Sequence, residues 1–305
     1  MLMLRPLRPG NTVTLIGVSG AIHADDLAAE VTRRAGQLEA LGFRVRVDKS
    51  CYGQYGYLAG TDVERAAAFH RAFEDDEADG VWCIRGGYGC QRILPLIDWE
   101  RIARHPKAFV GYSDITALHL ALNQRCGLCT FHGPMTGHMP ETEWARRSLM
   151  RAIGGQAEAA LVNPPGAPLT CLVPGVAEGP LTGGNLSLVA ASLGTPWEVD
   201  VCGKLLFLED VGEHVYVLDR YFQQLALAGK LRQCAGVILG QVTDCTAGEP
   251  GCGLSLEQVL ADVFAHSPVP VVCGLMAGHV SETLTLPLGR TYRMDAGKGE
   301  IILVK

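Results

Sequence analysis

The chain has 305 residues, 48% hydrophobic and 19% charged, which excludes a disordered chain and suits two globular domains. A net charge of −6 argues against a nucleic-acid binder, which would carry a basic patch. No apolar run reaches the roughly 18 residues of a membrane span, and Met1 to Gly10 lacks the apolar stretch of a secretory signal, so a cytoplasmic protein is expected.

In chain order, Thr12 to Ser19 reads as an apolar strand and Ala24 to Leu41 as an amphipathic helix closed by Gly42. Phe43 to Asp48 alternates as a short strand, and Cys51 to Gly60, rich in Tyr and Gly, reads as a loop placed to cover a site. Thr61-Asp62 opens a helix through Ala66, Phe69 and Phe73. Val81 to Ile84 is the third strand, followed by Arg85-Gly86-Gly87-Tyr88-Gly89 and a helix over Gln91 to Ile97. Ala108 to Val110 is the fourth strand, a helix runs from Asp114 to about Gln124, and Leu128 to His132 is the fifth strand. Strands alternating with helices at this spacing predict a doubly wound, mostly parallel sheet over residues 1–153. Ligands then bind beyond the carboxyl ends of the strands, where Ser19-Gly20, Arg85 to Gly89, Gly111 to Asp114 and His132 to Pro134 gather.

Residues 154–178 shift to Gly, Pro and Ala and read as a linker. Residues 179–305 read as a smaller mixed α/β domain: a helix over Leu186 to Leu193, a strand Lys204 to Leu208 ending in Glu209-Asp210, and a helix His214 to Leu227 with Val217, Tyr221 and Leu225 inward. A strand over Ala235 to Gln241, a helix over Leu254 to Phe264, a strand over Val269 to Leu275 and a β-rich tail follow.

The eleven cysteines raise metal and redox chemistry. Cys126 and Cys129 form one C-x-x-C pair without the second pair that a zinc site needs. Cys83, Cys171 and Cys273 lie in apolar segments, where a thiol acts as a small hydrophobe. Reduced, buried thiols are expected, with no metal and no cofactor.

Ser113 falls in a strand-to-helix turn, the setting of a nucleophile elbow, although Ile115 breaks the Gly-x-Ser-x-Gly signature. Alternatively, Ser113 simply caps the following helix. The Gly-rich turn after the third strand has no P-loop Lys-Ser/Thr and no G-x-G-x-x-G, so its glycine amides suit an oxyanion better than a nucleotide; a plain tight turn is the other reading. A serine needs a base oriented by a carboxylate. Among His132, His138 and His279, the last follows a buried strand at its carboxyl end; Glu209 has the same placement, with Asp210 and Glu213 as competitors. Ser113, Glu209 and His279 are the candidate triad, the serine on one domain and the other two across a cleft on the second. Arg85 is a candidate grip for a substrate carboxylate or else a structural ion pair, and Tyr88 in the same turn is a second candidate contact.

The segments RGGYG (85–89), GYSD (111–114), HGP (132–134), GGNL (183–186), LED (208–210) with Tyr216 and Asp219-Arg220, and Gly278-His279 with TLPLG (285–289) run in an order that resembles the LD-carboxypeptidase family of serine peptidases, which also holds microcin C immunity proteins. The resemblance implies a two-domain α/β fold, a homodimer, no metal and a Ser-Glu-His triad on Ser113, Glu209 and His279, with Glu209 preferred over Asp210. It also implies an oxyanion hole from the Gly87 and Asp114 amides. The implied reaction releases D-alanine from cytoplasmic murein tetrapeptide during peptidoglycan recycling.

The immunity branch, acting on aminoacyl sulfamoyl adenylates, is the nearest alternative. It needs an aromatic platform, and the short segment from Gly194 to Lys204 offers only Trp197. A periplasmic-type binding protein would need an export signal, and a class I amidotransferase-like enzyme would carry cysteine in place of Ser113.

Overall fold

The computed structural model describes residues 4–156, 159–246 and 253–304. It falls into two units, Met1–Ala157 with Thr285–Pro287, and Glu158–Leu284 with Leu288–Lys305.

The first unit runs β1 (Thr12–Ile16), α1 (Leu27–Glu39), β2 (Arg44–Val47), α2 (Asp62–Glu74), β3 (Gly80–Cys83), α3 (Cys90–Ile93), α4 (Trp99–Ala103), β4 (Ala108–Gly111), α5 (Thr116–Cys126), β5 (Thr130–His132) and α6 (Glu143–Ile153). The second contributes β6 (Thr170–Val173), β7 (Val176–Asn185), α7 (Leu186–Ala191), β8 (Leu205–Val211), α8 (Val215–Leu227), α9 (Lys230–Gln233), β9 (Gly236–Thr243), α10 (Leu256–Phe264), β10 (Val271–Cys273), β12 (Thr291–Asp295) and β13 (Glu300–Leu303), while β11 (Leu286–Leu288) lies mostly in the first.

The first sheet has the order β11-β5-β4-β3-β1-β2, and β2, β1, β3, β4 and β5 pair in parallel. Alternate residues of its strands enter two cores. Val13, Leu15, Trp82 and Val110 meet Val31 and Leu38 of α1 and Leu149 and Ile153 of α6. On the other face Phe109 packs edge-on against Phe69 of α2, ring centroids 5.7 Å apart, and against His119 of α5 at 5.3 Å. A sheet covered on both faces by helices is the doubly wound arrangement. The helix starts follow local chemistry: Asp26 caps α1, and Thr61 with Glu64 forms a capping box on α2.

The second sheet has the order β13-β12-β7-β8-β9-β10-β6, with β7 to β10 parallel and antiparallel strands at both edges. Its central strand β8 begins with a buried apolar run, Leu205 to Leu208. The fold class is therefore the expected two-part α/β, and several details differ. Thr170–Val173, inside the stretch read as a linker, forms edge strand β6, and Cys171 on it is exposed rather than buried. β11, read as part of the C-terminal tail, joins the first sheet. The inward face of α8 is Val215, Leu218, Phe222 and Leu225, one step out of phase with the expected Val217 and Tyr221.

Candidate active site

Ser113 follows the end of β4. Gly111 admits no side chain there, because a methyl group would lie 2.9 Å from the Ile115 side chain. The Gly111 carbonyl accepts from Gly133 N–H at 3.0 Å and lies 2.8 Å from His119 Nε2. Burial pulls the pKa of His119 down to about 3, which keeps that ring neutral. Ser113 itself has φ 65°; among the described residues only Asp244 is also a non-glycine with positive φ. A left-handed serine is strained, and such strain collects where a side chain must be aimed. The capping alternative fails: the turn Ser113–Ile115 is preceded by Tyr112 and α5 by Ile115, and neither start has a side-chain cap.

The Gly-rich turn lies beside this serine. A methyl group on Gly86 would sit 3.0 Å from Ser113 Cβ and 3.2 Å from Oγ. Gly20 N–H, beyond β1, donates to Gly86 O at 3.1 Å. β1 and β3 are the strands between which the order of the sheet reverses, where open α/β sheets bind ligands. Gly87 and Gly89 have φ 122° and 108°, values that only glycine adopts without strain.

Asp114 carries a buried carboxylate that the sequence reading used only for its amide. Its Oδ2 accepts from Ser19 Oγ at 2.5 Å and from Cys90 N–H at 3.0 Å. Opposite it stands Arg65 of α2, fully buried, a residue the sequence reading missed. Arg65 Nη1 donates to Val18 O at 2.7 Å and Gly89 O at 2.9 Å, and Nη2 pairs with Asp62 at 2.6 Å. A signal existed: Arg65 shares the inward helical face with Ala68, Phe69 and Ala72.

Arg85 is half-buried and donates to Ala21 O at 2.6 Å and Gly86 O at 3.2 Å. It has no carboxylate partner among the described residues, so the ion-pair alternative is not what the fold builds. Burial, then the nearby Arg34, lowers the pKa of its guanidinium. Tyr88 is 71% exposed, its ring edge-on to Tyr57 at 5.9 Å. Cys83 and Cys90 are wholly buried; burial first, then neighbouring charge, drives their thiols well above the ordinary value, so neither is a nucleophile.

In the second unit, Glu209 and Asp210 are both buried, 1% and 2% exposed, and lie within β8 rather than beyond it. The pairing of β8 with β9 slips between Leu208 and Asp210, an irregularity that turns neighbouring side chains to different partners. Glu209 Oε2 lies 2.7 Å from His279 Nδ1. Asp210 instead accepts from Asn185 Nδ2, Ser187 N–H and Val211 N–H, each at 2.9 Å, and so anchors the start of α7. Burial, reinforced by the Glu209 charge, raises the Asp210 pKa to about 6. Thr243 Oγ1 donates to the His279 carbonyl at 3.0 Å. Gly278 has φ 122°, and a methyl group there would lie 2.7 Å from Glu209 Oε2. Of the other histidines weighed, His132 is buried against Tyr112 and His138 is exposed.

Comparison with known proteins assigns the chain to a family. Models described as the LD-carboxypeptidase N-terminal and C-terminal domains match residues 13–133 and 178–294, which makes the protein a carboxypeptidase, a hydrolase. The chain belongs to the LD-carboxypeptidase family. It is 42% identical over 269 residues to a probable murein peptide carboxypeptidase of Bacillus subtilis, covering 87% of this chain and 84% of the relative. It is 34% identical to the murein tetrapeptide carboxypeptidase of Pseudomonas aeruginosa, covering 94% of each. Among solved structures, the muramoyltetrapeptide carboxypeptidase of Oxalobacter formigenes superposes with a TM-score of 0.80 at 27% identity, covering 96% of this chain and 98% of that one. The microcin C7 self-immunity protein in complex with glutamyl sulfamoyl guanosine superposes at 0.89 with 23% identity, covering 100% and 99%, a likeness of fold. Among the described residues no helix is long and apolar enough to cross a membrane.

Proposed function

We propose that the protein is a serine-type LD-carboxypeptidase that removes the terminal D-alanine from murein tetrapeptide, with Ser113 as nucleophile, His279 as base and Glu209 as the carboxylate that orients it. The observation that carries this reading is Ser113 itself: a strained, left-handed serine that caps no helix and faces a glycine turn. Glu209, accepting from Nδ1–H of His279, leaves Nε2 as the basic nitrogen. His279 takes the Ser113 proton as Oγ attacks the scissile carbonyl. The Gly87 and Asp114 amides hold the oxyanion, and His279 passes the proton to the departing D-alanine amine. Water, activated by the same imidazole, then cleaves the acyl-enzyme. Arg85, a half-buried cation with no carboxylate partner among the described residues, is the proposed grip for the terminal carboxylate, and Tyr88 a flanking contact.

The setting that goes with this reading is a cytoplasmic homodimer acting in peptidoglycan recycling, without metal or cofactor. Sedimentation of the purified protein tests the dimer. Aminoacyl sulfamoyl adenylate is the competing substrate; the murein names of the relatives at 42% and 34% identity favour the peptide. The test presents both compounds to the purified protein and follows them by mass spectrometry. Release of D-alanine, abolished in Ser113→Ala, is expected. Cleavage of the adenylate alone overturns the substrate, and undiminished turnover by Ser113→Ala overturns the nucleophile.

A further inference from the structure

The Gly86–Gly89 turn contributes one of the two proposed oxyanion amides, yet glycines do little to hold their own conformation. What holds it comes from elsewhere in the first unit. The peptide joining Gly89 to Cys90 is gripped at both ends: its carbonyl oxygen accepts from Arg65 Nη1 at 2.9 Å, and its N–H donates to Asp114 Oδ2 at 3.0 Å. The same two side chains grip the residues after β1, Arg65 through Val18 O at 2.7 Å and Asp114 through Ser19 Oγ at 2.5 Å. Both are buried, Arg65 wholly and Asp114 to within 3%. Gly89 leaves room for the guanidinium, since a methyl group there would lie 3.0 Å from Arg65 Nη1.

We propose, building on the serine-hydrolase reading, that Arg65 and the Asp114 carboxylate are a pair of positioning residues that clamp the Gly89–Cys90 peptide. The clamp holds the Gly87 amide in register with the Asp114 amide. Asp114 thus has two separate jobs. Its amide faces the oxyanion, and its side chain, reaching away from the reacting atoms, locks the neighbouring turn to the same residue. One displacement of the turn would misaim one donor while leaving the other in place. The expected signature is therefore a loss confined to the step in which the oxyanion forms.

The test compares Asp114→Ala, Asp114→Asn and the milder Ser19→Ala with the intact protein. On murein tetrapeptide, Asp114→Ala should lower kcat by about 100-fold with KM changed less than about threefold, since misplacing a donor costs transition-state binding. Asp114→Asn retains an acceptor oxygen and should recover most of the rate, and Ser19→Ala should lose several-fold. A group that served stability alone would lower the melting temperature and leave kcat of the folded protein unchanged. The second readout needs no substrate. Hydrogen exchange of the Gly86 to Cys90 amides should quicken in Asp114→Ala while the β3 amides keep their protection. Wild-type exchange in that turn overturns the clamp, as does an unchanged kcat in Asp114→Ala. If the unaltered protein cleaves neither compound, the hydrolase reading falls and the exchange experiment still decides the clamp. Should Asp114→Ala not fold, Ser19→Ala decides by the same exchange readout.

Discussion

Around Ser113 the first unit holds position with backbone, whereas around His279 the second unit does so with side chains. The serine stands at φ 65° between a glycine that tolerates no methyl group and a turn with two left-handed glycines. Its charged groups, Arg65 and Asp114, hold the peptide between Gly89 and Cys90 and also engage Asp62 and Ser19. The histidine has the Glu209 carboxylate 2.7 Å from its Nδ1, and that carboxylate stands where the pairing of β8 with β9 shifts register. The difference suits the role proposed for each group. A nucleophile has to be exposed at a fixed point beside amide donors, which backbone geometry secures. A base has to keep one tautomer while it gains and loses a proton, which only a hydrogen-bonded partner secures.

Removing the groups themselves gives the largest effects and breaks both sides alike. His279→Ala and Ser113→Ala should each lower kcat by about 10⁴-fold or more, because members of such a triad act as a unit. Steady-state D-alanine release checks this, and a double variant should be no worse than either single one. Glu209→Gln should cost less, about 10³-fold, since it leaves the imidazole in place but in the wrong tautomer. Asp210→Asn, one residue away, should leave kcat within about tenfold, because its partners lie at the start of α7.

Single methyl groups sharpen the comparison. Gly86→Ala places carbon 3.2 Å from Ser113 Oγ, and Gly278→Ala places it 2.7 Å from Glu209 Oε2. Each should cost about 100-fold in kcat, the usual consequence of displacing a catalytic group by about an ångström. Steady-state D-alanine release by each variant decides, and an unchanged kcat in either would mean that the neighbouring group yields without cost.

Much of this was legible in the sequence because it is local. The apolar runs of β1, β3, β4 and β8 are short and buried, and the caps at Thr61 and Gly42 mark real helix boundaries. Ser113 and His279 both follow strands, so their placement came from the same rule. What stayed hidden depends on partners remote in the chain. Arg65 donates to carbonyls of Val18, Gly60 and Gly89, and carbonyls leave no mark on a sequence. β8 extends through Glu209 to Val211, past the end that its charges suggest, and there Glu209 has His279 and Asp210 has Asn185 as partner. Helix α6 is absent from the expected elements even though Thr142 caps it and Ala145, Ser148, Leu149 and Ala152 share one face.

Asp210 supplies the smallest effect, and it concerns stability. Its folded pKa of about 6 lies above the ordinary carboxylate value, so the folded protein holds a proton there that the unfolded chain releases. The sign follows directly. Folding gains from this group below about pH 4, and that gain is lost as pH rises through about 6. Over that window the unfolding free energy should fall by about 1 kcal/mol per pH unit from this residue alone. Asp210→Asn cannot ionise, so its urea midpoint should be flatter across the window than that of the unaltered protein. An equal slope in both would mean that the charge on Asp210 is carried through unfolding without cost.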